Sequence, residues 1–87
     1  MGSAKNWYFP GCTCGICGHK ILSVDHANLD HITPKSKGGD DDDSNLQISH
    51  RWCNQYKADF LEGEFKKPTF AWNIKCLALY KMGLLKI

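Results

Sequence analysis

The order of apolar and polar side chains divides the chain into short stretches. An aromatic lead (Trp7, Tyr8, Phe9) runs into a Pro10-Gly11 turn and then into the knuckle Cys14-Gly15-Ile16-Cys17-Gly18. From Lys20 to Ile32 apolar residues recur (Ile21, Leu22, Val24, Leu29, Ile32), which predicts a strand ending near Asp30 to Ile32. Residues 33–44 hold a proline, two glycines and four consecutive aspartates with no large apolar side chain, and so predict an exposed loop. Asn45 to Ser49 alternates polar and apolar positions and reads as a short second strand. Arg51 to Leu61 suits a helix capped by Gly63. A further helix is predicted to begin near Pro68, a residue favoured in a first turn, and to run to about Met82 before Gly83. Within it Phe70, Ile74 and Leu77 fall at i, i+4 and i+7 with Ala71 and Ala78 beside them, so this face is expected to pack on the core.

Eighty-seven residues make at most one domain, here expected to span 1–87 with a core at about 12–62 and a helical extension at about 66–87. A chain this short, with a long polar middle, needs a staple. Its five cysteines (Cys12, Cys14, Cys17, Cys53, Cys76) are odd in number and clustered near the N-terminus, which suits metal binding better than a disulfide framework. Cys14 and Cys17 form half of a tetrahedral site, and His50-Arg51-Trp52-Cys53 offers a nitrogen and a sulfur at the same two-residue gap. A structural Zn²⁺ on Cys14, Cys17, His50 and Cys53 is the expectation. Cys12 is the alternative to Cys14 at a less usual spacing, and Cys76 is read as a small core residue.

Net charge is only +2, too little for a protein that holds nucleic acid by charge alone. Its distribution says more: Asp40 to Asp43 account for four of nine acids, leaving eleven Lys and Arg against five acids elsewhere. The opening residues lack the apolar region of a signal peptide, and no apolar run approaches the ~20 residues of a membrane span. A soluble protein of a reducing compartment is expected.

Asp30-His31 ends the first predicted strand, Asn45 follows His31 by fourteen residues, and Asn54 follows it by twenty-three, next to Cys53. A histidine with a pKa of about 6.5 is mostly neutral above pH 7 and can take a proton from an attacking water. Asp30 and Asn54 offer hard oxygen ligands that suit Mg²⁺. On a helix from residue 50, His50 and Cys53 share one face while Arg51, Asn54 and Gln55 lie on another. The preceding Asp25-His26 pair has no asparagine at those intervals and is read as strand or turn surface; the aspartate run is read as a solvated loop.

Taken in order, Asp30-His31-Ile32-Thr33-Pro34, Lys37-Gly38-Gly39, Ser44-Asn45-Leu46-Gln47, Cys53-Asn54 and Lys57 resemble the HNH endonucleases over Cys14 to about Asp59. That resemblance implies an α+β, ββα-metal (HNH, His-Me finger) fold with a structural zinc, to which this chain adds a C-terminal helix. It implies metal-dependent hydrolysis of DNA phosphodiester bonds, by nicking or double-strand cleavage, to 5′-phosphate and 3′-hydroxyl ends. His31 then matches the general base, Asp30 and Asn54 the ligands of a catalytic Mg²⁺ or Mn²⁺, and Asn45 the residue that pins the loop and holds the histidine. His50 stands where many zinc-bearing members have cysteine. Lys35, Lys37, Arg51 and Lys57 become candidates for DNA phosphate contacts. The partners expected are DNA, no membrane, and either a homodimer or a larger phage or restriction-type assembly, in the cytoplasm of a bacterial or phage-infected cell. The alternative is a non-catalytic zinc-dependent DNA-binding or assembly module that keeps the fold.

Overall fold

The cysteine knuckle turns back on itself because its amides have a sulfur to point at. In the computed structural model, which describes residues 3–85, the N–H groups of Ile16 and Cys17 aim at Cys14 Sγ at 3.4 and 3.5 Å. Gly18 closes the turn with a positive φ of 80° and donates its N–H to Cys14 O at 2.8 Å. Thr13 and Lys20 then pair as an isolated antiparallel bridge. A four-residue helix, α1 (Ala4–Trp7), precedes the knuckle.

Two strands, β1 (Ala27–His31) and β2 (Leu46–His50), pair antiparallel with Ala27 opposite His50, Asp30 opposite Gln47 and His31 opposite Leu46. Helix α2 (Arg51–Lys57) follows β2 without a linker. This is the ββα arrangement of an α+β domain, as expected. The loop between the strands is ordered by two 3₁₀ turns, at Lys35–Lys37 and Asp43–Asn45. Helix α3 (Phe70–Lys81) packs behind α2. The buried core is unusually rich in sulfur: Cys12, Cys14, Cys17, Cys53 and Cys76 share it with Ile16, Ile21, Ala27 and Trp52. So small an aliphatic core is what makes a staple necessary.

Four expectations need correction. α2 stops at Lys57 rather than Leu61: Lys57 turns inward, and Ala58 leaves the helix at φ 50°, ψ −126°, while Gly63 lies in a later turn. α3 begins after Pro68, with the Thr69 hydroxyl accepting from Trp72 N at 3.1 Å as its cap. Its predicted face is also partly rotated: Leu77 packs against the core as expected, but Phe70 and Ile74 are 57% and 43% exposed whereas Asn73 and Cys76 are buried. The reason is a polar anchor: Trp52 Nε1 donates to Asn73 Oδ1 at 2.6 Å, and the Tyr80 ring lies tilted against the Trp52 ring. Finally His26, expected on the surface, is buried between the rings of Trp52 and Tyr80.

Candidate active site and metal centre

The donor atoms of Cys14, Cys17, His50 and Cys53 all lie within 4.8 Å of one another, and all four residues are buried. Knuckle and β2–α2 junction each contribute two. His50 Nδ1 lies 3.5 Å from Cys17 Sγ and 3.7 Å from Cys53 Sγ, while its Nε2 lies 3.2 Å from Lys20 O. Donation from Nε2 to that carbonyl leaves the Nδ1 lone pair facing the sulfurs, the usual way a second partner fixes a ligating histidine. His50 N also points at Cys14 Sγ, at 3.3 Å, so three backbone amides favour a thiolate there. Hydrogen bonds from Cys17 and Cys53 hold the Cys14 thiol far below its ordinary range, and the same sharing pushes Cys53 up. Burial opposes charge on His50, but bonds to Cys14 and Cys17 outweigh it and raise the imidazole to about 9. Three soft sulfurs and an oriented imidazole in a dry pocket fit Zn²⁺. Cys12 lies outside this set and Cys76 packs in the core.

Ahead of this cluster, α2 presents its next side chains to the end of β1. Asp30 is buried: its Oδ2 accepts from Gln47 Nε2 at 2.8 Å, and its Oδ1 from Lys57 Nζ at 3.2 Å. Lys57 also donates to His31 O at 2.8 Å. Gln47 reaches Asp30 because Gly15 leaves room, since a Cβ there would sit 2.2 Å from Gln47 Oε1. Asn54 donates its Nδ2 to Leu29 O at 3.4 Å, a bond in which its Oδ1 takes no part. Asp30, His31, Asn54, Lys35 and Asp59 line one pocket of about 300 Å³. On the other side of His31 a cleft of about 630 Å³ is lined by Lys5, Asn28 and Arg51.

Asn45 ties the loop shut. Its Oδ1 accepts from Thr33 N at 2.9 Å, and its Nδ2 donates to Thr33 O at 3.0 Å and Asp40 O at 2.8 Å. Gly39 passes so close that a Cβ would meet Thr33 O at 1.8 Å, which accounts for its place in the loop. His31 Nε2 meets Asp41 Oδ1 at 2.8 Å, and Lys35 Nζ meets Asp41 Oδ2 at 2.9 Å.

The four lysine and arginine candidates separate. Lys57, expected to face DNA, is buried with an internal partner for its charge. Lys37 pairs with Glu64 and lies over the Phe60 ring, Lys35 pairs with Asp41, and Arg51 lines the larger cleft while donating its Nε to Asp25 O at 2.8 Å. Sequence reasoning missed Gln47, Asp59, Asp41 and Lys5. Hairpin register could have found Gln47, because it stands opposite Asp30. Nothing in a run of four aspartates distinguishes Asp41, and nothing in an isolated lysine marks Lys5.

The family model for HNH endonuclease matches residues 14–60, more than half of the chain. The chain belongs to the HNH endonuclease family, and the match takes in the four zinc-site residues, both strands and α2 while leaving α3 outside. No curated protein and no solved structure matches the chain.

Proposed function

We propose that this protein is a divalent-metal-dependent endonuclease that hydrolyses DNA phosphodiester bonds with His31 as general base. The observation that carries this reading is the single pocket in which β1 and α2 bring Asp30, His31 and Asn54 together. His31 takes the proton of the attacking water, a role open to an imidazole with a free ring nitrogen. Asp30 and Asn54 would hold Mg²⁺ or Mn²⁺, which when bound offsets charge developing on the phosphate and the leaving oxygen. The donors fit: both are hard oxygens, and each Asp30 oxygen retains a lone pair beyond its bond to Gln47 or Lys57. Asn45 ties the loop beside His31, and Zn²⁺ on Cys14, Cys17, His50 and Cys53 would hold α2 from behind. The cleft with Lys5 and Arg51 gives the DNA backbone a path past His31, with Lys35 on the far side. One such site cuts one strand, so double-strand cleavage requires a homodimer, a second visit or a larger assembly.

A plasmid assay with and without Mg²⁺ tests the reading. His31→Ala keeps both oxygen ligands, so cleavage should fall by roughly 10²–10⁴ while zinc content and far-UV spectrum stay at the parental level. Asn54→Ala spares the base, so its defect should ease as Mg²⁺ or Mn²⁺ is raised, and that of His31→Ala should not. Parental cleavage by folded, zinc-loaded His31→Ala would sink the mechanism. The second reading, a zinc-dependent DNA-binding or assembly module, is favoured by one feature: the Lys57 ammonium already neutralises Asp30. A parent that binds DNA but never cleaves it would establish that reading.

A further inference from the structure

We propose that Asp41 is the positioning residue of the catalytic histidine, fixing the His31 ring in the tautomer that carries its proton on Nε2 and keeps Nδ1 as the base. This inference rests on the nuclease reading of His31. A neutral imidazole has one donor and one acceptor nitrogen, and which is which depends on the partner each finds. A carboxylate only accepts, so the 2.8 Å contact between His31 Nε2 and Asp41 Oδ1 requires the proton on Nε2. Nδ1 is then the basic nitrogen.

The acid is placed rather than loosely apposed. Asn45 brackets it: Asn45 Nδ2 donates to Asp40 O at 2.8 Å, and Asn45 N donates to Asp42 O at 2.8 Å. Asp42 N adds a bond to Asp40 Oδ1 at 3.2 Å. The second carboxylate oxygen of Asp41 is engaged by Lys35 Nζ at 2.9 Å, which leaves Oδ1 directed to the histidine. Lys35 first, and His31 second, hold the Asp41 carboxyl below its ordinary range, which keeps it an acceptor for the ring N–H. The asparagine of the loop therefore acts on His31 through this acid. Base, orienting acid and the cation behind it form the chain Lys35–Asp41–His31, the general logic by which a third group orients a base.

The test uses the full, zinc-loaded protein with Asp41→Ala, Asp41→Asn and, as control, Asp42→Ala, which removes the same charge from a residue that makes no side-chain cap bond. The first readout is the pair of His31 ring-nitrogen chemical shifts, followed upward in pH until they reach the plateau of the neutral ring. The parent should show the Nε2–H tautomer, Asp41→Ala a mixture, and Asp41→Asn, whose amide oxygen still accepts, a return toward the parent. The second readout is plasmid cleavage: Asp41→Ala should lower kcat about tenfold, the size of one charge-assisted hydrogen bond at a half-open site, with KM for DNA unchanged or lower. Asp42→Ala should match the parent in both. An unshifted tautomer in Asp41→Ala overturns the proposal, and so does a shifted tautomer with parental kcat. A parent that does not cleave overturns the nuclease reading and with it the catalytic role of Asp41. A cleaving parent beside an Asp41→Ala variant of equal rate overturns the positioning role alone.

Discussion

A lysine with 2% of its side chain exposed must have its charge answered inside the protein, and Lys57 finds that answer in Asp30, itself 3% exposed. The pair joins the last turn of α2 to the end of β1, and the same ammonium reaches the His31 carbonyl. Breaking it leaves an ionised carboxylate buried without a cation. Lys57→Met should therefore cost about 3–5 kcal/mol, and adding Asp30→Asn should recover part of that loss. Urea titration of the zinc-loaded proteins measures both, and a Lys57→Met variant as stable as the parent would remove the pair from the list of what holds the fold. None of this was legible in the sequence, where a lysine is ordinarily a surface residue. The zinc residues and the spacing from His31 to Asn45 and Asn54 were legible, because ligand pairs and ordered motifs survive in one dimension. His26 was not, since its burial comes from the Trp52 and Tyr80 rings brought from elsewhere in the chain.

Among the elements, β1, β2 and the start of α2 could be read from apolar alternation, but the face of α3 could not. Its apolar residues are spread almost evenly around the helix, so the aliphatic spacing of Phe70, Ile74 and Leu77 outweighed the one residue that decides the orientation, Asn73. Asn73→Ala leaves the buried Trp52 N–H without its acceptor and should cost about 1–3 kcal/mol, whereas Phe70→Ala, more than half exposed, should cost clearly less. Equal costs in chemical denaturation would restore the face expected from sequence. The knuckle and the start of α2 meet at the cluster of Cys14, Cys17, His50 and Cys53. Cys17→Ser or Cys53→Ser should lose zinc and much of the fold, because coordination supplies on the order of 10 kcal/mol. In the metal-free protein His50 titrates at about 9, so at pH 7 it holds a proton that zinc must displace. Zinc affinity should therefore tighten as pH rises from 7 toward 9, with proton release measurable by calorimetry in buffers of different ionisation enthalpy; a pH-independent affinity would contradict the ligand set.

For the molecule as a whole, no helix among the described residues is long and apolar enough to cross a membrane. The core is small, and the four residues of the candidate metal centre come from both ends of the family match, 14–60. The strand-to-strand loop divides the two sites in the same place. Before it lie Cys14, Cys17, Asp30 and His31; after it lie His50, Cys53, Asn54 and Lys57. Severing the backbone between Asp42 and Asp43, on the exposed side of the Asn45 tie, yields two pieces that each carry half of the metal centre and half of the pocket. Neither piece holds a complete ligand set. Mixed, they should remain unfolded strangers until zinc is added, then associate through β1–β2 pairing and regain cleavage together. Fluorescence of Trp52 and plasmid nicking would report that assembly, and association without zinc would show that the strands suffice. If zinc binds across the loop in this way, the chain becomes a two-part device, in which a metal ion decides whether the two halves of one proposed nuclease meet.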